Sequence, residues 1–266
     1  MATGGFSTKQ DSIAYWNSPY IQYVIIVFMC IAATNFGLFY AALKGDVKKL
    51  LLDEEFRWYM ILILGATTII ATGLYWANWG EEEKCIRDAL FQVVSIMTTT
   101  GFATADYLYW PTLLGLILFI LMFIGSCASS TAGGIKVIRV VLLFKNSFTE
   151  MKRIIHPNAV INVKYNDKSV HPTIMTSVMG FFILFIIVFS IGSVIMAFFT
   201  EDIATACSAV ITSLSNIGPG FGSLGPMDNF AHLSDVAKLF LAALMLIGRL
   251  EVFTVLVLFT KAFWKK

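Results

Sequence analysis

The sequence predicts an all-α polytopic membrane protein built from repeated units of membrane helix, short helix, glycine loop and membrane helix. Three observations carry that prediction. Hydrophobic residues fill 58% of the 266 positions and charged residues only 14%, whereas soluble domains carry about 25% charged residues. Apolar runs recur at 20–43, 58–79, 173–199 and 236–260, each long enough for the roughly 20 helical residues that a hydrocarbon core requires. The same order of segments also occurs twice along the chain. A fifth apolar run, 109–145, is long but interrupted.

The elements can be justified in chain order. The opening, "MATGGFSTKQDS", is polar and uncharged until Lys9, and it lacks the basic and apolar regions of a signal peptide. The span at 20–43 is followed by Lys44, Lys48, Lys49 and Arg57 in segment 44–57. After the span at 58–79 come Glu81, Glu82 and Glu83 and a short amphipathic stretch that ends in "TTTGFATADY". The interrupted run at 109–145 leads into segment 146–172, with Lys152, Arg153, Lys164 and Lys168. The span at 173–199 is again followed by acids, Glu201 and Asp202, a short stretch and "SNIGPGFG". The last span, 236–260, runs into Lys261, Lys265 and Lys266. Basic residues mark cytoplasmic segments. The charge pattern therefore places 44–57, 146–172 and the C-terminus in the cytoplasm, with the spans alternating in direction. Cys30, Cys85, Cys127 and Cys207 are scattered, which points to packing rather than to a disulfide framework or zinc site.

An offset of 117 residues carries Gly101 onto Gly218, Ala89 onto Ala206, Val93 onto Val210, Ser95 onto Thr212 and Thr98 onto Ser215. Each copy therefore holds a short helix of about 12–15 residues, too short to cross a bilayer. The loop after it must lie partway through the membrane, where irregular backbone is tolerated only if it lines water or is buried in protein. The acids suit the positive end of each short helix, so the negative end points at the glycine loop. Backbone carbonyls and negative helix ends together make a cation site. The opening "TGGFST" at 3–8 matches "TTGFAT" at 99–104, pairing Gly5 with Gly101 and Thr8 with Thr104. The chain thus begins inside a third copy of the loop.

The ordered set "TGGFST", "TTTGFATADY", "GSCASSTAGGIKVIRVVLLFK", "SNIGPGFG" and "GRLEVFTVLVLF" resembles the Trk/Ktr/HKT superfamily of potassium transporters, most of all the bacterial Trk-type pore-forming subunit. The resemblance covers essentially the whole chain. It implies repeated membrane helix–pore helix–filter loop–membrane helix units around a central cation pore, with one filter loop from each of four repeats. Carried onto this chain, the filter residues are Thr3, Gly4 and Gly5, then Thr99, Thr100 and Gly101, then Asn216, Ile217 and Gly218. The units are then 1–43, the end of the second repeat; 58–145, the third; and 173–266, the fourth, separated by cytoplasmic segments 44–57 and 146–172. The first repeat and the start of the second are absent from this pattern. The expectation is therefore a C-terminal portion of a longer protein, since Met1 falls within a loop motif, or else a chain that assembles with another copy.

"GSCASSTAGGIK" interrupts the 109–145 run with three glycines and four hydroxyls. Small residues can serve helix packing, but this density exceeds the needs of a kink and favours a pore-lining break. The resemblance implies an intramembrane gating loop here, with Gly133 and Gly134 giving it freedom to move. Arg249 and Glu251 lie within the last apolar run, where ionisable groups are costly and face a partner or a wet interior. Two positions apart on a helix they diverge, so Arg249 is expected to face the pore or the 125–134 loop. The resemblance implies a fixed positive charge below the filter at this residue. Lys136 is a second gating candidate, able also to snorkel. Asp106 reads either as an acid at the outer mouth or as a loop cap.

The function implied is potassium uptake across the inner (cytoplasmic) membrane, with potassium as the transported ion and no covalent cofactor. The expected partners are potassium, the lipid bilayer, a cytosolic nucleotide-binding regulatory subunit docked on the basic segments, and a second copy in a homodimer. Nucleic acid is not among them. The alternatives are a sodium-conducting or sodium-coupled relative and a truncated, non-conducting fragment. The spans hold no paired catalytic acids, Ser/His set or metal-ligand spacing, so an enzyme is not expected.

Overall fold

The computed structural model describes residues 4–159 and 161–264. Thr3 lies outside them. Twelve helices follow one another among these residues. They are α1 (Pro19–Ala32), α2 (Phe36–Leu43), α3 (Val47–Leu52), α4 (Glu54–Trp76), α5 (Glu82–Met97), α6 (Thr112–Leu121), α7 (Val137–Ile155), α8 (Pro172–Met196), α9 (Ile203–Ser215), α10 (Asp235–Arg249), α11 (Val252–Leu258) and α12 (Lys261–Trp264). Four short 3-10 turns and one two-stranded hairpin, β1 (Lys164–Tyr165) and β2 (Lys168–Ser169), accompany these α-helices.

Among the described residues, only α4 and α8 are unbroken helices long and apolar enough to span a bilayer. The sequence reading treats 20–43 and 236–260 as continuous, and the structure corrects both. The helices α1 and α2 meet at 104°, and α10 and α11 at 110°. The cause is local in each case. Asn35 caps a new helix by accepting from the Gly37 N–H at 2.9 Å. Glu251 takes a left-handed backbone, φ 64°, which an α-helix cannot contain. The break expected in 109–145 is present and spans the fifteen residues between Leu121 and Val137.

Two units repeat the same design. In the first, α4 begins at an Asp53 cap that accepts from the Phe56 N–H at 3.1 Å. It buries Tyr59, Ile63, Ile70 and Leu74 along one helical stripe, and it packs on α5. In the second, α8 packs on α9, whose Asp202 cap accepts from the Ala204 N–H at 3.2 Å. The short helices α5 and α9 are buried along most of their length even though they carry Gln92, Ser95, Ser208, Thr212 and Ser213. Ile183, Ile187, Ile191 and Val194 on α8 stay exposed, as a lipid-facing surface requires. All four cysteines are free.

The hairpin turns at Asn166 and Asp167, both left-handed at φ 46° and 60°, the pattern of a tight type I′ turn. It docks on the start of α4. The Asn166 side chain donates to Asp53 at 2.8 Å, and its oxygen accepts the Glu54 N–H at 2.9 Å. Lys145 forms an ion pair with Glu54. Burial, then the charge of Asp53, pushes the Tyr165 phenol up, so it stays a neutral donor toward Asp53. Segments 44–57 and 146–172 thus touch, as two segments on one side of a bilayer can and segments on opposite sides cannot.

Candidate functional site

The short helices α5 and α9 deliver their C-terminal ends to one place. After α5, the chain turns at Thr99, φ 52°, and Gly101, φ 79°; after α9 it turns at Asn216, φ 56°, and Gly218, φ 116°. The 117-residue offset thus carries left-handed positions onto left-handed positions. Gly4 and Gly5 are left-handed as well, at φ 111° and 68°. These conformations come freely only to glycine, so Thr99 and Asn216 hold theirs through their surroundings. The Thr100 N–H donates to Ser95 O at 2.9 Å and the Ile217 N–H to Thr212 O at 2.8 Å, tying each loop to its own helix.

The three loops meet backbone to backbone. The Gly5 N–H donates to Thr100 O at 2.6 Å. A Cβ on Gly101 would overlap Ile217 O, one on Gly5 would overlap Gly101 O, and one on Gly218 would overlap Gly4 O. Thr99, Thr100, Ile217 and Asn216 are all buried. Thr98 and Thr100 pair hydroxyl to hydroxyl at 2.8 Å. Tyr107 ties the two loops' continuations together, its buried hydroxyl donating to Gly220 O at 2.8 Å. Asp106 caps its own turn by accepting from the Leu108 N–H at 3.0 Å, the second of its two expected readings. A cavity of about 520 Å³ opens beside the junction, lined by Gly5, Gly101, Gly218, Thr212 and Lys238.

The 122–136 break packs against this junction. Its Gly133 N–H donates to the Thr99 hydroxyl at 2.9 Å, and a Cβ on Gly133 would overlap Ser215 O. Gly134 is left-handed, φ 66°. The same offset carries Gly134 onto Glu251, φ 64°, so two repeats break at equivalent positions. The Ser126 hydroxyl donates to Met97 O at 2.7 Å. The α1–α2 break reaches the same loop, with the Cys127 N–H donating to Ala33 O at 3.2 Å and the Thr131 hydroxyl to Ala32 O at 3.2 Å. Arg249, at the α10–α11 break, also reaches this loop, so two helix breaks meet the loop that forms the third.

Arg249 donates to Thr131 O at 2.6 Å, so it engages the loop the sequence assigns to it. Glu251 does not pair with it. It accepts two bonds from Arg139 at 3.0 Å, and the Arg139 guanidinium lies 3.9 Å from the Phe181 ring centroid. Lys136 donates to Ala132 O at 2.7 Å instead of reaching outward. A second cavity, about 330 Å³, is lined by Gly133, Lys136, Arg139, Arg249 and Glu251. Two residues at this loop are not singled out by the sequence: Arg139, and Glu55, whose carboxylate accepts the Ala128 N–H at 2.6 Å. Arg139 carried a usable signal, since it is an ionisable residue inside an apolar run. Glu55 carried none, because acids in a helix's first turn are ordinary.

Short buried helices aimed at converging glycine loops, with broken membrane helices around them, define a membrane protein of the pore-loop class. The comparisons narrow this. The TrkH family model, described as cation transport protein, matches residues 1–266, and the chain belongs to that family. The Trk system potassium uptake protein TrkH of Salmonella typhimurium is 41% identical over 268 residues, which take in 100% of this chain and 55% of the relative. The Trk system potassium uptake protein TrkG of Escherichia coli K12 is 32% identical over 266 residues, covering 100% of this chain and 54% of that protein. The crystal structure of the potassium transporter TrkH from Vibrio parahaemolyticus superimposes with a TM-score of 0.91 at 37% identity, over 98% of this chain and 56% of that one. The chain spans about half the length of the curated relatives it matches.

Proposed function

We propose that the chain supplies three sides of a potassium-selective pore for uptake across the cytoplasmic membrane. The observation that carries this is the meeting of three left-handed glycine loops at the C-terminal ends of α5 and α9. Helix C-termini are negative and carbonyls are cation ligands, so the junction favours a cation. Gly4, Gly5, Thr99, Thr100, Gly101, Asn216, Ile217 and Gly218 are the described residues that would coordinate potassium. Thr3, outside the described residues, is assigned with them on the sequence match alone. Repeats 1–43, 58–145 and 173–266 supply one loop each, and the fourth side comes from the N-terminal half that the relatives possess.

The 122–136 loop, with Gly133 and Gly134, is the gate in this reading, held by Arg249, with Lys136 bracing it from within. The hydrogen bonds from Gly133 to Thr99 and from Arg249 to Thr131 support that role. The basic segments 44–57 and 146–172, which dock on each other through Asn166, are assigned to the cytoplasmic side. They are the proposed seat of a cytosolic nucleotide-binding regulator, and a homodimer is the proposed assembly. To test the reading, the chain is joined to the N-terminal half of the Salmonella relative and expressed in a strain lacking its own potassium uptake. Growth at low potassium should be restored. Failure by an inserted, stable protein would falsify the transport reading.

A further inference from the structure

The 122–136 loop is anchored at its tip by Thr99 and Arg249, which are also the residues near the pore junction. Its base is held by a different group. Glu55, in the first turn of α4, is 2% exposed. One of its carboxylate oxygens, Oε1, accepts the Ala128 N–H at 2.6 Å and the Ile138 N–H at 3.3 Å. Those two amides lie on either side of segment 129–136. Ile138 belongs to the first turn of α7, so the same carboxylate faces the positive end of that helix.

We infer that Glu55 is a positioning residue that staples the two ends of segment 129–136 together and so sets where the intramembrane loop sits beneath the glycine loops. A buried carboxyl group is costly unless it is hydrogen-bonded, and here two backbone N–H groups converge on one of its oxygens. Lys136 is turned to Ala132 O, so the carboxylate is held by backbone amides rather than by a salt bridge with that lysine. The rest of the base is a short parallel pairing. The Ile135 N–H donates to Phe123 O at 3.1 Å and the Val137 N–H to Ser126 O at 3.1 Å. Glu55 comes from α4, an element that makes none of the loop's tip contacts. It can therefore fix the base while the tip moves, as a gate requires. Its functional consequence rests on the pore reading, but its geometry does not.

Two measurements test it. In the purified chain, hydrogen exchange is followed at Ala128 and Ile138 in the unsubstituted protein, Glu55→Gln and Glu55→Ala. Exchange at both amides should be about tenfold or more faster in Glu55→Ala and intermediate in Glu55→Gln, which keeps a neutral acceptor, with α5 unchanged. Equal exchange in all three proteins would overturn the inference, as would a loss of protection spread evenly through α5, which marks a merely structural role. In the chimera with the Salmonella N-terminal half, Glu55→Ala should raise potassium flux in the absence of any regulator while leaving the preference for potassium over sodium intact, and Glu55→Gln should restore gating. Flux in the unsubstituted chimera with no change in Glu55→Ala sinks the staple alone. No flux in any of them sinks the pore reading.

Discussion

Gly101 shows how far one residue can constrain the junction. It combines φ 79° with a Cα surface pressed on Ile217 O and on the Gly5 backbone. A side chain there must push two neighbouring loops apart. Gly101→Ala should therefore weaken protection of the Gly5 and Ile217 amides from exchange, while Gly65→Ala, with nothing within contact distance of the added carbon, should change neither. Arg249 presents the opposite case, a charge with one hydrogen bond to the irregular 122–136 segment, at Thr131 O. Arg249→Ala should raise flux through the completed pore, and an unchanged flux profile would return the residue to a packing role. The glycines and Arg249 were legible because each breaks a rule of its surroundings. Left-handed Thr99, Asn216 and Glu251 were not, since side chains of these types also sit in ordinary helices and turns, and only the packed loops force the backbone over.

At the level of elements, the sequence distinguished short buried helices from spans by their acids and length, and the repeat offset placed α5 and α9 together. It did not reveal the bends at 33–35 and 250–251. Hydropathy averages over a window, and a run of apolar residues reads alike whether the helix continues or turns through 104°. The signal was a single cap. Asn35→Ala should cost α2 about 1 kcal/mol, read as faster exchange within Phe36–Leu43. The hairpin is a second element that composition could not show, because its turn is only Asn166-Asp167. Asn166→Ala removes its side-chain bonds to Asp53 and to the Glu54 amide. It should destabilise the docked segment by about 1–3 kcal/mol, measured as faster proteolysis between 156 and 171, with the exchange of α8 unaltered.

At the scale of the whole molecule, one arrangement dominates. Three loops meet at one point, and two helix breaks gather on a third beside it. The 117-residue repeat made the first part readable in advance, since equivalent residues in a pseudo-symmetric protein must occupy equivalent places around an axis. Of the second part, the approach of Arg249 to the loop was readable, whereas the contact of the α1–α2 bend with Cys127 and Thr131 emerged only in three dimensions, because the apolar run 20–43 gives no sign of a bend. The measurement that bears most directly on the central claim is the potassium-to-sodium flux ratio of the chimera in liposomes, compared between the unsubstituted protein and Gly101→Ser. The account predicts a ratio well above one that falls at least about tenfold, some 1.4 kcal/mol of lost discrimination, in the substituted protein. A ratio that Gly101→Ser leaves unchanged would contradict it.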